Sequence, residues 1–538
     1  MIMARGYRRV DRDQQFLLPP DMRDWLPGSD PVWLVIEAIG QCDTSAFHAG
    51  RRVGGVGRAG YDPDMLVTLL VWAWLQGVHS SRQIERLCGR DVGFRVICAG
   101  DGPDHVTIAR FRQGFASGVE QLFEQVLLLA VRLGLGQLGV VALDGTKIAA
   151  PASMGQNRTA EGLLKAAAVE QARAAARRAG RAHAEADAVE DARFGEGRGD
   201  QMSDEDGGDG PAGSGRGPGR SRSARIAEAL ADLEEQARQE QARQQLRAAE
   251  RAARMAAKEG GAVDGRPPAG TEILLAEQAL TAARAAAQAR LEAWQATGRG
   301  RRPPDPDDHW RVRKAAARVA RAHQIVAARA ARPPRREPVG NITDPESRLQ
   351  PLAGGGWLQG YNAQAVTTGD GLVLATQVSN NQADQIAFLP MLQAATETAA
   401  RVGAGPIGLV LADAGYLSVD NLTGAGPDRL IAVGTRRTLE AAARTERPPE
   451  LSAEEGSGGD PAIQAMRNRL TTPDGITAYR QRGRIAETTF GHAKHNLRFR
   501  SFTGIGLDRA GAEWMFHGAV HNLSKIINHG LLPIQPTS

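Results

Sequence analysis

Cysteine is scarce in this chain of 538 residues, which contains three: Cys42, Cys88 and Cys98. They form no CxxC pair, and no cysteine and histidine cluster has the spacing of a zinc site. We therefore expect neither a disulfide framework nor a structural zinc ion.

Long hydrophobic runs are also missing. No stretch approaches the roughly 18 apolar residues of a membrane span, and the opening MIMARGYRRVDRDQQF lacks the apolar core of a signal peptide. We therefore expect a cytoplasmic protein without a membrane partner. The net charge of +5 is small, and it permits a polyanionic partner without requiring one.

The length allows two or three domains, and residues 1–130 have the pattern of a helical one. In YDPDMLVTLLVWAWLQGV, Asp62 is placed as an N-cap before a proline at the first helical position. The apolar helix that follows must be buried. Ser80 and Gln83 have the spacing of a capping box for the next helix.

A further N-terminal helix, PDHVTIARFRQGF, is a candidate DNA reader. Asp104 would cap it, and Thr107, Arg110 and Arg112 lie off its apolar face. The pattern resembles a helix-turn-helix reader. The alternative is a plain helical bundle with a basic surface, and the spacing alone does not separate the two.

Residues 155–335 differ sharply in composition, being rich in Ala, Arg, Glu and Gln. A stretch near 194–223 is rich in Gly, Ser and Asp, and this composition predicts a disordered linker. Helical periodicity follows it, with further helices at about 271–296 and 308–332. These helices could fold back as an arm or remain a solvated insertion, and we favour the arm.

The segments on either side of this insertion, 135–154 and 336–530, have the pattern of strands and helices that belong to a single domain. GYNAQAVTTGDGLVLATQVSN predicts a hairpin that turns at 369–371. A helix and the apolar strand PIGLVLADAGY come next. Hairpin strands followed by alternating strands and helices predict an α+β (mixed α/β) fold with a long helical insertion.

Two of these strands carry an acid where they end. Asp144 follows VVAL and Asp413 follows GLVLA. Each alone is most simply a turn former or a cap. With Glu487 on a late helix they form an all-oxygen set, which suits Mg²⁺ or Mn²⁺ and can hold two ions about 4 Å apart for phosphoryl transfer.

The late helix is YRQRGRIAETTFGHAKHNLRF. On a regular helix Arg480, Glu487 and Lys494 would share one stripe, because seven residues at about 100° each return to the same face. The stripe could be an ordinary solvated surface. If Glu487 is a metal ligand instead, Arg480, Arg482 or Lys494 would be placed to meet phosphate.

Three further residues receive structural interpretations. Asp384 opens a helix, and we interpret it as an N-terminal capping charge rather than a supporting site residue. Trp357 and Trp514 could stack on bases, but core packing is the preferred interpretation for both.

Five motifs in order resemble the DDE transposases of bacterial insertion sequences, in the branch often numbered eleven-eighty-two, related to branches four and five. They are LDGTKIAA, TDPESRL, GYNAQAV, LADAGYLS and the late helix quoted above. The N-terminal region resembles that family's N-terminal domain. The resemblance covers roughly residues 20–150 and 335–530.

The resemblance implies an RNase H-like core in which Asp144, Asp413 and Glu487 bind two Mg²⁺ or Mn²⁺ ions. Tyr479, Arg482 and Lys494 match other positions of a family signature, with phosphate-binding roles. One extra residue stands between Arg482 and Glu487, which would rotate Arg482 by about 100° on a continuous helix.

The function expected from this resemblance is transposition. The core would cleave double-stranded DNA at terminal inverted repeats and join it to target DNA, with the protein acting as a homodimer or larger assembly. Two alternatives remain open: a metal-dependent nuclease without strand transfer, and a domesticated or inactive DNA-binding protein.

Overall fold

The computed structural model describes most of the chain. The described residues are 21–49, 60–114, 116–194, 221–257, 272–299, 301–330, 337–352, 354–433 and 460–530. Most of the predicted Gly-rich linker near 194–223 lies outside them. The chain divides into two compact units, the second formed by 157–179 and 223–342.

The N-terminal part of the first unit is helical, as predicted. Its helices are α1 (Pro31–Gly40), α2 (Ser45–His48), α3 (Pro63–Leu75), α4 (Ser81–Cys88), α5 (Val92–Ile97), α6 (His105–Gln113) and α7 (Ala116–Arg132). Helix α3 is apolar on almost every side and is buried along nearly its whole length.

Two of the three predicted helix caps are confirmed. The Asp62 carboxylate accepts a hydrogen bond from the Asp64 amide, and the Asp104 carboxylate accepts one from the Thr107 amide. Ser80 occupies the N-cap position of α4, but its side chain makes no capping hydrogen bond. The predicted capping box at Ser80 was therefore wrong.

A mixed sheet forms the centre of the first unit. Its strands are β1 (Val140–Ala149), β4 (Arg348–Pro351), β5 (Trp357–Thr368), β6 (Val373–Ser379), β7 (Leu409–Ala412) and β8 (Asp428–Ile431). The order is β4-β5-β1-β7-β8, and β6 also pairs with β5. The β5–β6 hairpin is antiparallel, as predicted. Strand β1 is antiparallel to β5 and parallel to β7.

Helices from the second half of the chain cover this sheet. They are α12 (Phe388–Arg401), α13 (Val419–Thr423), α14 (Pro461–Leu470), α15 (Pro473–Gly491) and α16 (Leu507–Asn528), with a π-helix at His492–Asn496. Helix α15 packs on β1, β5 and β7, whereas α16 packs on β6 and on the N-terminal helices α3 and α7.

The N-terminal helices and the sheet share a hydrophobic core. The Trp74 ring of α3 packs edge-on against Phe516 of α16, with ring centroids 4.9 Å apart. It also lies against the tilted ring of Phe499, at 5.2 Å between centroids. Trp514 is buried in the same core, as predicted. Trp357 is 41% exposed, so core packing was the wrong interpretation for that residue.

The second unit contains the helices of the insertion. They are α8 (Ala160–Phe194), which continues beyond the unit, α9 (Arg222–Ala257), α10 (Glu272–Thr297) and α11 (Trp310–Ala330). Strands β2 (Asn157–Arg158) and β3 (Gly340–Asn341) pair antiparallel, which brings the two ends of the insertion together. Its small core includes Leu163, Ile226 and Leu233.

The fold is mixed α+β and mostly helical, in agreement with the predicted class. No helix among the described residues is both long enough and apolar enough to cross a membrane.

Candidate active site

Asp144 and Asp413 lie side by side on neighbouring parallel strands. Ala142 of β1 and Leu411 of β7 are register partners, and each aspartate comes two residues later. Because side chains two residues apart share a face of the sheet, both carboxylates point to the same side at the same level. The sheet alone therefore brings together two of the three predicted ligands.

Backbone amides fix one oxygen of each carboxylate. The Gly145 amide donates to Asp144 Oδ1 at 2.8 Å, and the Gly415 amide donates to Asp413 Oδ1 at 2.8 Å. Neither glycine has room for a side chain. A Cβ at Gly145 would lie 2.4 Å from the Gln364 amide nitrogen, and one at Gly415 would lie 2.9 Å from Asp413 Oδ1.

The other oxygen of each carboxylate faces a single arginine. Nη2 of Arg482 lies 2.9 Å from Asp144 Oδ2 and 3.6 Å from Asp413 Oδ2. The Arg482 side chain is only 5% exposed. Burial raises the pKa of Asp144 to about 6, Arg482 opposes that rise, and Asp413 adds to it. The pair therefore demands a compensating cation.

A third aspartate, Asp384, lies near enough to Asp144 for its charge to add to the raised pKa of Asp144, and the sequence interpretation did not predict the network around it. Asp384 makes no capping hydrogen bond. Its Oδ1 accepts from the Asn362 amide at 2.7 Å, the Gln364 amide at 2.8 Å and Lys147 Nζ at 3.4 Å. Asp384 does stand at the N-cap position of the 3-10 helix Gln385–Ala387, as predicted, but its carboxylate is held by this network and not by a capping hydrogen bond.

The polar residues of GYNAQAV explain how Asp384 is held. Asn362 and Gln364 stand two apart on β5 and so face the same side of the sheet. Gln364 Oε1 accepts a hydrogen bond from the buried Tyr416 hydroxyl, which follows Asp413 in the chain. Alternation of polar residues along a buried strand is the signal that could have identified this network.

Glu487 lies on the exposed side of α15. The helix is continuous from Pro473 to Gly491, so Glu487 is turned by about 140° from the inward-facing Arg482, five residues earlier. The predicted stripe from Arg480 to Lys494 is broken by the π-helix at His492–Asn496, which changes the turn per residue.

Lys494 nevertheless reaches the site. Its ammonium donates a hydrogen bond to the Thr146 hydroxyl. Thr146 stands two residues after Asp144 on β1 and therefore faces the same side of the sheet. Burial lowers the pKa of Lys494, and Arg500 adds to this lowering. Tyr479 is buried beneath the site, with its hydroxyl 3.4 Å from the Ala412 carbonyl of β7.

The three predicted ligands do not form a closed triad in this structure. Among the described residues, only His48, Asp62 and Asp64 bring three such ligand atoms within 4.8 Å of one another. Asp144 and Asp413 nonetheless fit a hard divalent ion, because their oxygens already converge on a cation. Glu487 would have to move to join them.

The three predicted DNA-binding residues of α6 have different surroundings. Arg110 is exposed, and the Thr107 hydroxyl donates to the capping Asp104 at 3.1 Å. The Arg112 side chain is only 8% exposed and lies 3.2 Å from Glu513 of α16. It also donates to the His79 carbonyl and the Thr503 hydroxyl, both at 2.7 Å. Arg112 thus anchors α6 to the core.

Two segments of the chain match known families. Residues 21–114, which include α6, match a family described as Transposase domain (DUF772). Residues 458–527, which include Glu487 and Lys494, match a family described as Transposase DDE domain. A search of curated proteins gave no match, and a search of solved structures gave none either.

Both matched families are transposases. They confirm the resemblance to the DDE transposases of insertion sequences and support a transposase function for the chain. The numbered branch within those transposases stays a prediction.

Proposed function

We propose that the protein cleaves DNA at the terminal inverted repeats of an insertion sequence and joins the ends to target DNA. The catalytic core would be RNase H-like, with Asp144, Asp413 and Glu487 holding two Mg²⁺ or Mn²⁺ ions. The main support for this proposal is that Asp144 and Asp413 occupy equivalent register positions along the neighbouring parallel strands β1 and β7. One carboxylate oxygen of each faces Nη2 of Arg482.

Bound divalent ions would activate the attacking oxygen and stabilise the leaving oxygen of a phosphodiester. The amides of Gly145 and Gly415 orient the two aspartates for this task. Asp384 sits beside them in a network that orders Gln364 and Asn362. Lys494, held over β1 by Thr146, is placed to contact a DNA phosphate.

Tyr479 and Arg482 have different parts in this proposal. Tyr479 supports β7 from below through its contact with the Ala412 carbonyl, so its contribution is to position Asp413. Arg482 contacts both carboxylates through Nη2 and its side chain is only 5% exposed, so binding a DNA phosphate would require the side chain to become more exposed.

The N-terminal segment 1–130 would recognise the ends of the element. Exposed Arg110 is the best placed residue of α6 for a phosphate, and Thr107 lies one turn before it. Arg112 would act indirectly by fixing the position of α6. Cleavage of paired ends requires two active sites, so we propose a homodimer or larger assembly on DNA in the cytoplasm.

The insertion 155–335 would be an arm that contacts DNA or a second subunit. Its paired ends at β2 and β3 allow the long excursion without disturbing the catalytic core, 135–154 and 336–530. Its core is small, and Leu246 and Trp310 are 60% and 62% exposed. Exposed apolar residues of this kind suit a helical partner.

The test uses the full chain and a plasmid carrying a marker between the two DNA sequences that flank the gene. With Mg²⁺ we expect cut ends and joined products from the wild type, and neither from Asp144→Asn or Asp413→Asn. Undiminished cleavage by either variant would refute the site. Cut ends without joined products would identify a nuclease, and specific binding without cleavage would identify an inactive DNA-binding protein.

A further inference from the structure

The Arg482 guanidinium occupies the point where the two aspartates converge. Each carboxylate has one oxygen held by a backbone amide, from Gly145 or Gly415. The remaining oxygens both face Nη2 of Arg482, at 2.9 and 3.6 Å. The direction of the two carboxylates is therefore set by the sheet and its turns, independently of the arginine.

The charges at this point explain why a cation is needed. Two carboxylates on adjacent strands repel each other, and their side chains are only 19% and 25% exposed. Water screens such a pair weakly, so an unpaired arrangement would destabilise the fold. Arg482 supplies the missing positive charge from a helix that packs on β1 and β7.

A divalent ion bound between the same two oxygens would meet the guanidinium. The ion would coordinate the same two oxygens that Arg482 faces, and two cations a few ångströms apart in a poorly hydrated site repel strongly. The guanidinium and the ion therefore compete for one position.

We propose that Arg482 is the resident counterion of the Asp144 and Asp413 pair, and that a divalent ion binds there only by displacing its guanidinium. This inference rests on the proposed function, because it takes the two aspartates as metal ligands. In the metal-free protein Arg482 would offset the repulsion between the two carboxylates, whose directions the backbone amides of Gly145 and Gly415 already set. By linkage, any ligand that draws Arg482 away, such as a DNA phosphate, would strengthen metal binding.

The main test measures Mn²⁺ binding to the full chain without DNA. Free Mn²⁺ is followed by electron paramagnetic resonance in titrations of the wild type, Arg482→Gln, Arg484→Gln and Asp144→Asn. Arg482→Gln removes the competing charge but keeps a polar side chain of similar length. Arg484→Gln is the matched control, because Arg484 is an exposed arginine on the same helix.

We expect Arg482→Gln to bind Mn²⁺ on the order of tenfold more tightly than the wild type, since a unit charge beside the ion is removed. Arg484→Gln should change the affinity by less than about twofold, because water screens an exposed charge. Equal or weaker binding by a folded Arg482→Gln protein overturns the inference.

Asp144→Asn distinguishes failure of the counterion inference from failure of the proposed metal site. If it abolishes binding while Arg482→Gln matches the wild type, the metal site stands and the counterion inference fails. If neither the wild type nor Arg482→Gln binds Mn²⁺, or if Asp144→Asn binds as well as the wild type, the proposed metal site fails and the inference fails with it.

A second measurement uses only the wild type, in case Arg482→Gln does not fold. Crystals grown with and without Mn²⁺ locate the ion by its anomalous scattering. We expect an ion between Asp144 and Asp413 together with an Arg482 side chain that has left both carboxylates. An ion in that position with both Arg482 contacts retained overturns the inference.

Discussion

Helices α6 and α15 each turn one predicted site arginine inward and leave another predicted site residue exposed. On α6, Arg112 is inward and Arg110 is outward; on α15, Arg482 is inward and Glu487 is outward. The acceptors around the two inward arginines differ. Arg112 meets a carbonyl, a hydroxyl and one carboxylate, whereas two carboxylates converge on Arg482.

The difference shows which buried arginine a ligand can replace. Mixed neutral and charged acceptors match the fork of a guanidinium and offer little to a metal ion. Two carboxylate oxygens aimed at one point also suit a hard divalent ion. Arg112 is therefore a permanent anchor, while Arg482 occupies a place that another cation can take.

The largest expected effect comes from the outward residue of α15. If Glu487 turns inward to complete the metal site, Glu487→Gln should reduce DNA cleavage to the level without protein, as Asp144→Asn does. Its thermal stability should match the wild type, because Glu487 is exposed. Substantial cleavage by Glu487→Gln in a gel assay with Mg²⁺ would remove Glu487 from the site.

Arg112→Ala should be the most destabilising change on α6. It leaves Glu513 buried without its cation, and breaking a buried pair from one side costs about 3–5 kcal/mol. Chemical denaturation measures the free energy of unfolding, with Arg110→Ala as the control that changes it by less than about 0.5 kcal/mol. Equal stability of the two variants would contradict the anchor.

The core that joins α3 to α16 should be sensitive to acid. Burial lowers the pKa of His521 to about 3 and of His79 to about 4; His492 and Lys525 add to the lowering at His521, and Arg112 adds to it at His79. These histidines are neutral when folded and bind protons when unfolded. Proton binding to these histidines therefore does not reduce the free energy of unfolding above pH 6.5. As the pH falls from 6.5 toward 4, the unfolded state takes up the protons and the free energy of unfolding decreases.

A variant isolates this contribution from that of the aspartates. Asp144 and Asp344, whose pKa values burial raises to about 6, act in the opposite direction as the pH falls. Between pH 7 and 4, the stability advantage of the wild type over His521→Asn should shrink by about 3 kcal/mol. An advantage that stays constant in denaturation series at both pH values would contradict a neutral His521.

The smallest expected effect concerns the outward residue of α6. Arg110→Ala should weaken binding of the full chain to the flanking DNA and lower the salt dependence of the affinity by about one unit of slope. Fluorescence anisotropy at several salt concentrations measures both. An unchanged slope would place the DNA contact elsewhere, and an exposed arginine of the insertion would be the next candidate.

Local sequence was enough to predict much of this protein. Apolar runs and turn residues gave β1, the β5–β6 hairpin and β7, and N-cap chemistry gave the starts of α3 and α6. These features depend on neighbours within a few residues. The ends of the apolar runs marked the positions of Asp144 and Asp413, but only Asp413 lies at a strand end. Strand β1 continues past Asp144 to Ala149, and the paired register of β1 and β7 brings the two aspartates together.

Tertiary structure decided which charges meet. Lys147 and Asn362 are remote in the chain from Asp384, yet all three join one network because β1 and β5 pair. The inward or outward direction of Arg482 and Glu487 depends on the phase of a helix packed on the sheet, and a single extra residue changes that phase by about 100°. Periodicity can group residues on a face, but only packing determines which face is buried.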